Sequence, residues 1–332
     1  MPFNLSRIES PLWQHELRHA YTRPGDLLRD LALSSDAGFD IDAARSFAFR
    51  VPRPFAKRMQ RGNPRDPLLL QVLPSANEIV DVEGFVRDPV ADAAATRSPG
   101  LLQKYAGRAL LIVTGGCAVN CRYCFRREFP YQDAVGSEHL ARAVAAIAGD
   151  PSVHEIILSG GDPLTLSDAR LAALLTQLAA IPHLRRLRIH SRLPVVLPSR
   201  ITDTLLDTLR SSRLPCVMVV HANHAQEIDS DVRTACAALR DAGITVLNQT
   251  VLLRGINDDV EVLCALSEAL FTAGVLPYYV HLLDRVRGTA HFEVALDHAR
   301  QLAAELSARV PGYLLPRFVR EIPGSVAKTP LN

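Results

Sequence analysis

The sequence predicts an α/β fold in which a parallel sheet follows a helical and irregular N-terminal extension. Three observations carry this. From about Arg108 onward, apolar runs of strand length alternate with helical patterns six times, and strand–helix units in series imply parallel strands joined by crossovers. Before that point, Pro-rich joints break the chain into short helical pieces. The 332 residues, 48% hydrophobic and 22% charged, suffice for one large α/β domain plus an extension.

The extension, residues 1–98, carries helical patterns at Pro11–His19, Pro24–Leu31 and Ile41–Phe47, separated by joints such as Val51-Pro-Arg-Pro54 and Asn63-Pro-Arg-Asp-Pro67. Residues 99–332 carry the alternation. Strands are expected at Ala109–Thr114, His154–Ser159, Leu187–Ser191, Cys216–His221, Thr245–Leu252 and Tyr278–Leu283. Helices are expected at Ser137–Ala148, Ser167–Ile181, Thr202–Ser211, Asp231–Ala242, Asp259–Thr272 and Glu293–Arg309. Six such units fit either an open doubly wound sheet or a curved partial barrel. In both, the loops after the strand C-termini build the site.

The formal net charge of +2 and the lack of a basic run argue against nucleic acid as a partner. No apolar stretch approaches the ~20 residues of a membrane helix, and the charged first twenty residues do not read as a signal peptide. A cytoplasmic location is expected. Cysteine usage agrees: Cys216, Cys236 and Cys264 are scattered as core thiols, whereas Cys117, Cys121 and Cys124 are clustered.

That cluster has C-x3-C-x2-C spacing and follows the first expected strand. Three thiolates hold three corners of a cubane iron–sulfur cluster and leave one iron open to a small ligand. A structural zinc ion usually takes four protein ligands, one more than this segment supplies. A second motif, Ser159-Gly160-Gly161-Asp162-Pro163, ends the second strand. Paired glycines there suit a tight turn or a ligand lying close to the backbone. Lysine is rare: Lys57, Lys104 and Lys328 are the only three among 37 basic residues. Where lysine persists in an Arg-biased chain, a deprotonatable amine is one reason, since Arg cannot supply it.

The cysteine run and the Gly-Gly-Asp-Pro turn together resemble the radical S-adenosylmethionine (SAM) enzymes. Further stretches resemble the lysine 2,3-aminomutase family: Pro99-Gly-Leu-Leu-Gln-Lys-Tyr-Ala-Gly-Arg108, Arg192-Leu-Pro-Val-Val-Leu-Pro-Ser-Arg-Ile201, Asn248-Gln-Thr-Val-Leu-Leu-Arg-Gly-Ile-Asn-Asp258 and Pro323-Gly-Ser-Val-Ala-Lys328. The chain is most similar to the short members that make (R)-β-lysine for elongation factor P. The resemblance implies a partial (β/α)6 barrel of the radical SAM type. It also implies a [4Fe–4S] cluster on Cys117, Cys121 and Cys124, SAM, and pyridoxal 5′-phosphate (PLP).

Residue by residue, the resemblance places PLP on Lys328 as the catalytic amine, with Lys104, Tyr105 and Arg108 at its phosphate. Read alone, Lys328 is a frayed terminal lysine, and Lys104 and Arg108 are a solvated pair. SAM falls to Tyr123, Ser159, Gly160, Gly161, Asp162, His221 and Gln249, although His221 also reads as a core histidine. The carboxylate of free lysine falls to Arg126 and its distal ammonium to Asp284 and Glu321. Glu321 departs from the aspartate of the family, which bears on specificity. The zinc-binding C-terminal extension of the long aminomutases has no counterpart, so no zinc is expected. The implied reaction moves the amino group of L-lysine from C2 to C3. The implied partners are an electron donor such as flavodoxin or ferredoxin and elongation factor P with its lysyl ligase; the sequence leaves the oligomeric state open, a homo-oligomer among the options. The alternatives are a 2,3-aminomutase for another amino acid and a non-catalytic iron–sulfur protein.

Overall fold

Apolar runs spaced one helix apart leave the chain few ways to bury them, and they line up in sequence order. The computed structural model describes residues 11–34 and 39–331. Its sheet has ten strands in the order β1 to β10. The parallel part comprises β3 (Arg108–Thr114), β4 (Glu155–Gly160), β5 (Arg186–Ser191), β6 (Cys216–His221), β7 (Thr245–Val251), β8 (Leu276–His281) and β9 (Arg317–Arg320). An antiparallel hairpin of β1 (Thr96–Ser98) and β2 (Leu101–Tyr105) extends the β3 edge, and β10 (Thr329–Pro330) pairs back on β9.

Six helices make the crossovers: Ser137–Ala148, Asp168–Ala179, Asp203–Arg210, Ser230–Asp241, Val260–Thr272 and Leu296–Arg309. Four begin at side chains that accept a first-turn N–H: Ser167, Thr202, Asp229 and Asp259. The last helix starts three residues after the expected Glu293. There Ala290–Phe292 forms a 3₁₀ turn, and Glu293 stays extended with its carboxylate 2.6 Å from Arg285 Nε.

The sheet is open and curled. Tyr105 on β2 donates to Glu321, just past β9, at 2.8 Å. Seven strand spacings of ~4.8 Å would put those edges about 34 Å apart in a flat sheet. The architecture is therefore a partial barrel, with side chains bridging its gap. Among the described residues no helix is long and apolar enough to cross a membrane.

The extension is part of the same core. Trp13, Leu27, Phe55, Leu68 and Leu69 pack in one buried cluster with Leu111, Ile156, Leu158 and Leu187 of the sheet. It also grips the loop after β3. Glu78 accepts from Arg122 Nε at 2.8 Å and from Arg127 Nη2 at 2.8 Å, and the Glu78 and Arg122 side chains are fully buried. Arg122 also donates to the carbonyls of Ala43 and Phe47. Glu78→Ala strands two guanidinium groups without their carboxylate, and a broken buried pair costs about 3–5 kcal/mol. Urea unfolding should show that loss as an earlier midpoint with an unchanged slope.

Candidate functional site

The site grows from the C-terminal ends of consecutive parallel strands. After β3, the backbone turns tightly through the cysteine loop, with Cys124 N donating to Cys121 O at 3.1 Å. Cys117, Cys121 and Cys124 are half-buried free thiols. Burial pushes Cys117 well above the usual thiol range and Cys124 up to about 11, and the neighbouring thiols add to both shifts. Such thiols become thiolates when a cation binds them. Among the described residues no group of three His, Cys, Asp or Glu side chains converges to hold a single metal ion. Three soft donors on one short loop suit the cubane cluster, whose irons are spread over separate corners.

After β4 come the two glycines. Gly160 has φ +127, and a Cβ on it would lie 2.4 Å from Thr114 O. A Cβ on Gly161 would lie 2.3 Å from Gly116 O. The room these glycines make is thus taken by the neighbouring cysteine loop, and the two loops are packed backbone to backbone. Asp162 is buried and accepts from Ser191 Oγ and Arg192 N at 2.7 Å, and from Leu164 N and Leu193 N. Burial pushes its carboxyl up to about 6, against the pull of these donors. Its side chain is spoken for by the β5 loop, so contact with a ligand would fall to the turn's backbone.

His221 ends β6 and pairs in register with Gln249 on β7. Its Nε2 is buried without a hydrogen-bond partner among the described residues, as are those of His190 and His281. Burial lowers His221 to about 3, with Arg192 adding, and lowers the other two as well. These rings are neutral and hold unspent capacity for a polar ligand. The Tyr123 hydroxyl lies 2.7 Å from Asn223 Nδ2, beside the cysteine loop.

A second group closes the gap in the sheet. Lys328 Nζ lies 2.6 Å from Glu321 Oε2, and Tyr105 donates to Glu321 Oε1. Lys104 Nζ is 3.6 Å from that oxygen and 2.8 Å from Asp92 Oδ1. Asp92 Oδ2 in turn accepts from Arg126 Nε at 2.8 Å, and Arg126 Nη1 reaches Ser159 Oγ at 3.1 Å. One polar chain thus runs from Lys328 to the turn after β4. Arg108 stacks on the Tyr105 ring, 4.7 Å from its centroid. Burial alone would raise Glu321, but Lys328, the Lys328 and Tyr105 hydrogen bonds and Lys104 hold it below the usual carboxylate range. Asp284 lacks such neutralisation: burial pushes it up to about 7, Lys328 pulling down and Glu321 pushing up.

The structure brings together Lys328, Lys104, Tyr105 and Glu321, and sets Arg126 and Ser159 at the far end of the same chain. It does not leave Arg126 free. With Nε on Asp92 and one Nη1 hydrogen on Ser159, the side-on edge through Nε is taken, and a two-pronged grip on a carboxylate falls to the Nη1–Nη2 end. Sequence reasoning missed Asp92, a lone acid in an irregular segment with no local signal for a partner 34 positions away. It also missed Arg192, legible only as part of a motif, whose Nη1 lies 2.7 Å from Cys121 Sγ. The donor sets fit their groups: three thiols for the cluster, orphaned imidazole nitrogens and turn carbonyls for SAM, and an amine with basic and phenolic neighbours for PLP.

Comparison with known proteins agrees with this geometry. Residues 111–266 match the model of the Radical SAM superfamily. The L-lysine 2,3-aminomutase of Escherichia coli K12 is 52% identical over 325 residues, spanning 96% of this chain and 94% of that protein. The Haemophilus influenzae protein of the same name is 47% identical over 323 residues, 97% of this chain and 96% of its own length. That of Clostridium subterminale is 33% identical over 322 residues, 96% of this chain and 77% of the longer relative. A chain that keeps this likeness along nearly its whole length, with three thiols and an amine at the strand ends, belongs to the radical SAM superfamily and, within it, to the L-lysine 2,3-aminomutase family.

Proposed function

We propose that the protein converts free L-lysine to β-lysine by migration of the amino group from C2 to C3, and that the product serves β-lysylation of elongation factor P. The observation that carries the reading is the ion pair of a lysine amine with Glu321 at the same strand ends as the cysteine loop, with the buried Asp284 carboxyl feeling the charge of both. When bound, the cluster and SAM supply a carbon radical that takes hydrogen from C3, and PLP supplies a π-system that spreads the unpaired electron during nitrogen migration.

The residues do the rest by holding and shielding. Cys117, Cys121 and Cys124 hold three irons. Tyr123, His221, Gln249 and the Ser159–Asp162 turn face SAM. Lys328 presents its amine to PLP, with Lys104, Tyr105 and Arg108 toward the phosphate. A lysine ammonium already rests 2.6 Å from Glu321, which supports that carboxylate as a seat for the substrate's distal ammonium, with Asp284, whose carboxyl feels the charges of Glu321 and Lys328, as the second acid. Arg126 takes the substrate carboxylate through the Nη1–Nη2 end of the fork, the edge that Asp92 does not occupy. That carboxylate favours free over peptide-linked lysine. A flavodoxin or ferredoxin supplies the electron, in the cytoplasm, and the chain works without nucleic acid, as a monomer or homo-oligomer.

The test is anaerobic reconstitution with iron, sulfide and PLP, then incubation with lysine, SAM and a reductant. β-Lysine should form. SAM cleavage without β-lysine would point to another amino acid, and no SAM cleavage to a non-catalytic iron–sulfur protein. Ala at any one of the three cysteines should abolish SAM cleavage and leave iron below the full cubane complement. Loss of the modification from elongation factor P in cells lacking this protein tests the second half.

A further inference from the structure

We propose that Arg192 is a positioning residue for the cluster's charge: its guanidinium, held by Glu227 and Gln71, donates to Cys121 Sγ and sets how readily the cluster accepts an electron. The inference rests on the cluster assignment made above and adds a determinant of its reduction.

The geometry is built for this. The Arg192 side chain is 6% exposed. Nη1 points at Cys121 Sγ, 2.7 Å away. Nη2 is fixed by Gln71 Oε1 at 2.5 Å and Glu227 Oε2 at 3.0 Å. Those partners are fixed in turn. Gln71 Nε2 donates to Glu227 Oε1 at 3.1 Å, and the same oxygen accepts from Asn223 N at 2.8 Å. The Arg192 backbone is tied to Asp162 Oδ2 at 2.7 Å, so the turn after β4 and the sulfur share one anchor. The Tyr123 and Phe55 rings flank the guanidinium.

A guanidinium stays protonated, and a donor to a cluster sulfur stabilises the more negative, reduced state. The nearby Glu227 carboxylate opposes this from one group further away. The two residues therefore act on reduction with opposite signs. A purely structural pair would not, since breaking it from either side disturbs the same packing.

The experiment is a redox titration of the reconstituted full-length protein, following the reduced cluster by electron paramagnetic resonance, with iron content measured alongside. Arg192→Gln should make reduction at least tenfold less favourable, which for one electron is a midpoint ~59 mV more negative. Arg192→Lys keeps the charge without the fork and should fall between. Glu227→Gln leaves the guanidinium unopposed and should shift the midpoint the other way. A wild-type midpoint in Arg192→Gln, or shifts of the same sign in the Arg192 and Glu227 variants, would overturn the proposal. If Arg192→Gln does not fold, Glu227→Gln decides: a more positive midpoint supports the proposal, and no change or a more negative one rejects it. Wild-type protein that binds no iron would instead undo the cluster assignment itself.

Discussion

Lys328→Arg is expected to lose all formation of β-lysine while keeping the cluster and the ion pair with Glu321. The variant preserves the charge and nearly the length of the side chain. It removes the one property the chemistry needs, an amine that can give up its proton, because a guanidinium does not do so near neutral pH. The cluster thiols sit on a different loop, after β3, so iron content should match the wild type. The yellow absorption of bound PLP should disappear. Borohydride reduction of the wild type followed by peptide mapping should find the pyridoxyl group on Lys328. Finding it on Lys104 would exchange the two roles, since both ammonium groups contact Glu321.

Asp284 carries the second large effect. Asp284→Ala leaves the substrate ammonium with one carboxylate in a partly desolvated place, at a cost on the order of 2–4 kcal/mol, or roughly 30- to 1,000-fold in kcat/KM. The pH dependence follows from the raised value. Burial pushes Asp284 up to about 7, and only the ionised form pairs with an ammonium. kcat/KM should therefore rise with pH through about 7 and flatten above it. Asp284→Asn should erase that limb. Stability runs the other way. The folded state keeps a proton that the unfolded chain has already lost, so stability declines as pH climbs from about 4 to about 7. Urea midpoints at pH 5 and pH 8 should differ less in Asp284→Asn than in the wild type. Glu321→Asp should cost much less than Asp284→Ala in turnover. It also pulls the carboxylate back from Lys328 and Tyr105, so PLP affinity is the measurement to pair with it.

Period and spacing made the six strand–helix units legible, because each strand carries apolar residues in a run or in alternation, as in Arg186-Leu-Arg-Ile-His-Ser191, and most helices have a capping side chain in place. The seventh parallel strand was not legible: Arg317-Phe-Val-Arg320 offers two apolar residues between two charges. The β1–β2 hairpin was hidden for another reason. Its second strand, Leu101–Tyr105, lies in the stretch Pro99–Arg108 that was conspicuous for carrying Lys104, and its strand character is weak. At the site, spacing brought out the three cysteines and the two glycines, because both lie on single short loops. Asp92 and Arg192 stayed out of reach because their partners are distant in sequence. The occupied state of Arg126 could not be read without knowing where Asp92 lies.

The strand that closes the sheet has a consequence for handling the protein. Lys328 is the last residue of a hairpin loop whose far side is Thr329 and Pro330, paired with Arg320 and Val319, and then Leu331, whose N–H donates to Phe318 O. With Leu331, the clasp adds one partly buried side chain to the core beside β8 and β9, so a proteolytic cut within it would leave the parallel strands and the cysteine loop in place. The loop holding the amine would swing free, and the colour of the cofactor would fade before any loss of structure registered. A preparation cut there can thus look intact by melting temperature and iron content yet be inert, and intact mass is the quality control that distinguishes the two.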